Sequence, residues 1–146
     1  MVLGTGRMNR HVGSQRTCGH YQIIVTQKFM VSEDVAAFRL SGLNNTALPP
    51  FTAGAHIDVH VAPDAIRQYS LCNAPNEDDG YLIAVKREAA SRGGSKRMHD
   101  EVQIGDSLWI SSPRNNFPLS SQGEHSLLIA GGIGITPILS MARQLH

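Results

Sequence analysis

Three short groups of residues in this chain have types and spacings that could do chemistry. In Arg67-Gln68-Tyr69-Ser70-Leu71, a two-residue repeat puts Arg67, Tyr69 and Leu71 on one face of a strand and Gln68 and Ser70 on the other. A guanidinium and an aromatic ring on one face can grip a ligand that carries both an anion and a flat ring. An exposed strand with Tyr69 covering the end of a barrel has the same pattern. In Arg92-Gly93-Gly94-Ser95-Lys96-Arg97 the glycines allow a tight turn and Ser95 stands where a helix N-cap belongs. Free amides at a helix start with cations beside them make an anion site; an ordinary surface turn before a capped helix reads the same way. Gly131-Gly132-Ile133-Gly134-Ile135-Thr136-Pro137 follows an apolar run. Gly132 and Gly134 match two positions of a dinucleotide fingerprint, with Pro137 in place of the third glycine. Proline suits the first turn of a helix, and no Gly-Lys-Ser/Thr follows, so this is not a Walker A loop.

Other candidates read more plainly. His56, Asp58 and His60 share a strand face at a spacing that could hold a metal, but a solvated outer face looks the same, and no metal is assigned. Lys86-Arg87-Glu88 reads as a solvated strand end. Cys72 reads as a small core residue, and Trp109 as partly packed against a sheet.

These residues need a scaffold of strands. Tyr21–Thr26, Val35–Leu40, His56–Val61, Ile66–Cys72, Tyr81–Val85 and Ser107–Ser111 are apolar or alternating runs separated by turn residues, which predicts a mainly β antiparallel barrel. Ile57, Val59 and Val61 alternate toward the core. A short helix is predicted at Lys96–Val102. After Pro113 the pattern changes. Residues 116–124 read as a linker. Leu127-Leu128-Ile129-Ala130 reads as a strand buried on both faces of a parallel sheet, and Thr136–His146 as a helix with Ile138, Met141, Ala142 and Leu145 on its apolar side. The division expected is a flexible leader at 1–20, a barrel at 21–115, the linker, and the opening β–α unit of an α/β domain at 125–146.

Composition narrows the function classes. The chain has 146 residues, 41% hydrophobic and 17% charged, with a net charge of +1; that is globular composition and implies neither a nucleic-acid nor a membrane partner. Arg7, Arg10 and Arg16 supply the excess, since the first twenty residues hold no acid. That leader has no apolar h-region, so it is not a secretory signal. Its arginines are compatible with a mitochondrial-type presequence, although it has no amphipathic apolar face. The longest uncharged stretch, Ser126–Ala142, is short for a membrane span and broken by glycines and Pro137. Two cysteines, Cys18 and Cys72, cannot ligate an iron–sulfur cluster or a structural zinc. They also make no disulfide framework, so a reducing cytoplasm is expected.

Taken in order, Arg67–Leu71, Ile83-Ala84-Val85-Lys86-Arg87, Arg92–Ser95, Pro113-Arg114-Asn115-Asn116-Phe117-Pro118-Leu119 and Ala130–Pro137 resemble the ferredoxin–NADP reductase superfamily. The resemblance is closer to its phthalate dioxygenase reductase and vanillate O-demethylase reductase branch. It runs from Tyr21 to His146 and implies a flavin-binding antiparallel barrel, then a nicotinamide-binding α/β domain, with a [2Fe–2S] domain last in this branch. It implies that Arg67 binds the flavin phosphate, Tyr69 packs on the isoalloxazine and Ser70 sits near its N5, with Gln68 between them in the motif. Ala84, Val85 and Lys86 would line the ring's polar edge, and Gly93, Gly94 and Ser95 would hold the phosphate. Thr136 would approach the flavin from the second domain, while Gly131, Gly132 and Gly134 open the nicotinamide site. The Arg-Gly-Gly-Ser form looks like the FMN-using branch, with FAD the alternative.

The function so implied is an NADH-dependent flavin oxidoreductase, an electron-transfer module for an aromatic-ring dioxygenase or O-demethylase. Its partners would be the oxygenase component or a 2Fe–2S domain. The β–α unit ends at His146 and the cluster cysteines are missing. The expectation is therefore a fragment that binds flavin but neither binds NADH productively nor reaches a cluster. The alternative reading is a non-catalytic barrel, an interaction module with a vestigial flavin site.

Overall fold

A computed structural model describes residues 19–77, 80–90, 93–122 and 125–146. Most of the leader, Cys18 and Arg92 lie outside the described residues. Six strands form one antiparallel sheet: β1 (His20–Ser32), β2 (Val35–Gly42), β3 (His56–Ala62), β4 (Ala65–Ser70), β5 (Tyr81–Lys86) and β6 (Ser107–Ser111), in the spatial order β4-β3-β6-β1-β2-β5. The ladders do not close the sheet, so the expected barrel is an open one. Its two edge strands meet just past β4, where Leu71 bridges Ile83 and the Cys72 N–H donates to the Leu82 carbonyl at 2.8 Å.

All six expected strands are present, most within a residue or two of the expected ends. The exception is β1, which runs six residues past Thr26. Gln27 and Lys28 interrupt its apolar run, but Lys28, Phe29 and Met30 pair with Phe38, Ala37 and Ala36 of β2 across two register shifts. Such bulges bend a long strand, letting one chain segment serve two neighbours: β6 pairs with its first half and β2 with nearly all of it. The core lies on the inner faces. Ile23, Phe38, Leu40, Ile57, Val59 and Ile83 are fully buried there, and each contributes about 1.5–3 kcal/mol on removal from water. Val61, expected in this set with Ile57 and Val59, is only partly buried at its margin.

Two helices flank the sheet. α1 (Gly94–Asp100) starts two residues before the expected helix and buries Met98 in the core. Ser95 is not its N-cap, because Gly93 takes that place with a φ of 94°. A left-handed backbone there favours glycine, and Ser95 is carried into the first turn. α2 (Ile135–Leu145) is preceded by a 3-10 turn, Gly132–Gly134. Its buried face is Thr136, Ser140 and Met141, not the expected stripe: Ala142 and Leu145 are exposed. Hydrogen bonds turn the helix. Ser140 Oγ donates 2.7 Å to the Asn73 carbonyl and Arg143 Nη1 donates 2.7 Å to the Cys72 carbonyl, pinning α2 to the loop after β4.

Residues 127–130 are not a strand. They pair with no other segment among the described residues, and Leu127 and Ile129 are 86% and 78% exposed. A parallel-sheet sequence without a parallel neighbour has no ladder to join. The segment just before the expected linker belongs to the barrel: Arg114 and His56 exchange both backbone hydrogen bonds at 2.9 Å, and Asn115 Nδ2 donates 2.6 Å to Thr52 Oγ1.

Candidate functional site

β4 presents Arg67 beside the turn that opens α1. A Cβ built on Gly94 would stand 2.5 Å from Arg67 Nε and 2.8 Å from its Cγ, so a larger residue at 94 would make the guanidinium stem shift away from the helix start. Arg67 Nη1 donates to the neighbouring Ile66 carbonyl at 2.7 Å, which leaves other guanidinium N–H groups for an anion. A cavity of about 410 Å³ opens there, lined by Asp64, Ala65, Arg67, Gly93 and Arg97. Ser95 Oγ accepts from the Glu88 N–H at 3.1 Å. The hydroxyl keeps its own proton to donate.

Tyr69 lies partly buried against the core. Burial pushes its phenol up to about 12, against the opposing pull of Arg67, so it is a neutral ring face at ordinary pH. Ser70 ends β4. Gln68 points away from Arg67 and helps to hold Asp58 on the neighbouring strand. Burial raises the Asp58 carboxyl, but hydrogen bonds from Arg114 (2.7 Å) and Gln68 outweigh it and hold the group below its ordinary value. His60 meets His20 edge-to-face with ring centroids 5.4 Å apart. The His56, Asp58, His60 face is thus a set of cross-strand pairs.

A second cavity, of about 500 Å³ and mostly apolar, lies between β2, β5 and α2, with Ala84, Lys86, Cys72, Gly132, Ile133 and Thr136 among its lining residues. Val85 is buried in the core and offers only main-chain groups. Thr136 Oγ1 donates to the Ile133 carbonyl at 2.9 Å, holding the 3-10 turn. Gly131 and Gly134 have open space where a Cβ would be. Burial pushes the Cys72 thiol up to about 11 despite the Ala84 backbone and the Arg143 charge, so it is an inert wall residue, as its core reading expected.

Of the predicted residues, Arg67 and Gly93 line the polar cavity with Gly94 against Arg67, and Ala84, Lys86, Gly132 and Thr136 line the apolar chamber, while Gln68, Tyr69, Ser70, Val85, Ser95, Gly131 and Gly134 line neither. The stretch Arg67–Cys72 runs between the two cavities, about 17 Å if extended. A long ligand with an anion at one end and a flat apolar body at the other matches this layout. A flavin nucleotide is such a group: the cradle at Gly94, the cations beside it and the neutral Tyr69 all fit. Arg97 stands in the Arg92–Arg97 motif as one of its cations, whereas sequence reading missed Asp64, a carboxylate in the same lining.

Comparison with known proteins gives the same answer. Residues 22–118 match the family model described as the oxidoreductase FAD-binding domain. The chain is 50% identical over 122 residues to a vanillate O-demethylase oxidoreductase of Pseudomonas putida, covering 84% of this chain and 38% of that protein. It is 45% identical over 128 residues to a phthalate dioxygenase reductase of Burkholderia cepacia, covering 88% and 40%. Among solved structures, a phthalate dioxygenase reductase described as a modular structure for electron transfer from pyridine nucleotides to [2Fe–2S] superposes with a TM-score of 0.83 at 45% identity. That match covers 87% of this chain and 40% of the other. The chain thus spans about two fifths of the length of these relatives. With an antiparallel flavin-domain sheet over most of its described length, the chain belongs to the oxidoreductase FAD-binding domain family of ferredoxin reductase-type flavoproteins.

Proposed function

We propose that this chain is the flavin-binding module of an NADH-dependent reductase that serves an aromatic-ring dioxygenase or O-demethylase, and that its flavin is FMN. The observation that carries the reading is the Arg67 stem lying against Gly94 at a cavity lined by two arginines, Arg67 and Arg97, and one carboxylate, Asp64. Arg67 holds the phosphate, with the Gly93 and Gly94 turn and the Ser95 hydroxyl completing its cradle. Tyr69 covers the ring face, Ser70 stands near the reactive edge, and the main chain of Ala84, Val85 and Lys86 faces the polar edge. Thr136 bounds the ring from α2, and Gly131, Gly132 and Gly134 begin the nicotinamide site. A flavin held there would supply the chemistry of hydride acceptance from NADH and single-electron release. A 2Fe–2S domain or oxygenase component then receives the electrons. No side chain is needed as acid or base, and none is assigned. With only two cysteines and so no disulfide framework, the compartment inferred is the cytoplasm.

The test is the visible spectrum of the purified chain with and without added FMN. Bound flavin absorbance is the expected outcome; a colourless chain that takes up neither FMN nor FAD refutes the reading and leaves the interaction module. In R67A, FMN binding is expected to weaken by about 10- to 100-fold, the worth of one charged hydrogen-bond set, with riboflavin little affected. Equal loss of both flavins would remove Arg67 from the phosphate.

A further inference from the structure

We propose, on the basis of the flavin reading above, that His99 and Lys28 are positioning residues that brace α1 against the sheet and so set the phosphate turn at Gly93–Ser95 at a fixed distance from the ring-edge strand β5. His99 Nε2 lies 2.8 Å from the Val85 carbonyl. A carbonyl can only accept, so Nε2 carries the proton and donates. Lys28 Nζ donates 2.7 Å hydrogen bonds to the His99 and Val102 carbonyls, at the end of α1 and just beyond it. It also stands 5.6 Å over the Phe38 ring. A cation at a helix C-terminus complements the helix dipole, and here it ties α1 to β1.

α1 depends on such ties. At seven residues, with no side-chain cap on its first turn, it is too short to hold a helical shape alone. Met98 anchors it by burial, but an apolar contact does not fix its slide along the sheet. The remaining polar tie at its C-terminal end, Arg87 to Asp100 at 2.8 Å, joins side chains that are 46% and 53% exposed and so adds little. Arg97 to Glu101 lies within the helix end and attaches it to nothing. Among the described residues, His99 and Lys28 make part-buried connections.

The two ends of the brace respond differently when it is cut. β5 is held by its own ladder to β2, with Ala36 opposite Val85 and Ala37 opposite Ala84, so the ring edge stays in place. The helix is what loosens, and with it the turn at its start, whose own tie, Ser95 Oγ accepting from the Glu88 N–H at 3.1 Å, is exposed. Loss of His99 or Lys28 should therefore erode the phosphate's share of flavin affinity and spare the ring's share.

The test compares FMN and riboflavin, which differ by the phosphate, through quenching of flavin fluorescence on titration with the full chain and with H99F, H99Q and K28M. H99F keeps the ring volume without the donor, H99Q restores an N–H, and K28M leaves the imidazole intact. The expected result is FMN binding weakened about five- to tenfold in H99F and K28M, the size of one net hydrogen bond. Riboflavin affinity should change less than about twofold, and H99Q should lie within about twofold of the unaltered chain for FMN. Equal weakening of both flavins, H99Q no better than H99F, or FMN binding unchanged in both H99F and K28M would each overturn the brace. If the unaltered chain binds neither flavin, the flavin reading falls first and the brace with it. If it binds FMN and the variants bind as well, the brace alone falls.

Discussion

Gly94 and Arg67 are one feature written in two places, because the guanidinium stem occupies the volume that any Cβ at 94 would need. G94A is therefore expected to displace Arg67 and weaken FMN binding by about tenfold or more, while riboflavin titration and the melting curve of the chain change little. Asp58 makes a separate, pH-dependent contribution. Its carboxyl is held below the ordinary value by Arg114 and Gln68 against the effect of burial. A depressed acid stabilises the fold above the unfolded value of about 3.9 and loses that contribution as pH falls through the folded value. Urea midpoints should thus separate the unaltered chain from R114M at pH 7, and the gap should close below about pH 3; a gap constant with pH would show that Arg114 acts through packing alone. Cys72, buried and raised to about 11, should resist alkylation at pH 8 until the chain is unfolded, as peptide mapping of labelled thiols will show.

Among the elements, the junction of α2 with the barrel rests on polar groups that a hydrophobic pattern does not reveal. Asn73 is fully buried; its Oδ1 accepts from the Leu82 N–H at 2.9 Å, its Nδ2 donates to the Gly80 carbonyl at 2.9 Å, and its own carbonyl receives Ser140. N73A strands the buried Leu82 N–H and the half-buried Gly80 carbonyl and should cost about 2–4 kcal/mol by urea denaturation. S140A removes one bond and should cost about 1 kcal/mol. These hydrogen bonds explain why the helix turns Thr136 and Ser140 inward where periodicity put Ala142 and Leu145. Likewise β1 continues through Gln27 and Lys28 because β2 offers a ladder there, and backbone pairing is indifferent to the polarity of those side chains.

For the molecule as a whole, the sheet and α1 enclose the core while the segment before α2 is bare. Leu127 and Ile129 are almost fully exposed, so the double substitution of both by Ser should leave the urea midpoint unchanged. It should also lower light scattering at high protein concentration, since exposed apolar strips promote association. A lowered midpoint would mean that the segment packs against the barrel in solution. Among the described residues no helix is long and apolar enough to cross a membrane.

The strands, their order along the chain, the turn at Gly93 and Gly94 and the family resemblance were all legible from residue types and spacing, because alternation, turn chemistry and local motifs are properties of short windows. The list of site residues from Arg67 to Thr136 came from that resemblance and belongs to the proposed flavin site. What the windows could not contain was decided by tertiary structure. An apolar run is a strand only when a neighbour supplies its ladder, and 127–130 has none among the described residues; Ser95 is a first-turn residue and not a cap because Gly93 takes the left-handed position. The division of the site into an anion end and an apolar chamber arises from which chain segments fold against each other. So does the tie from Lys28 and His99 to α1, since its partners lie between 14 and 74 residues apart in sequence and meet only in the folded chain.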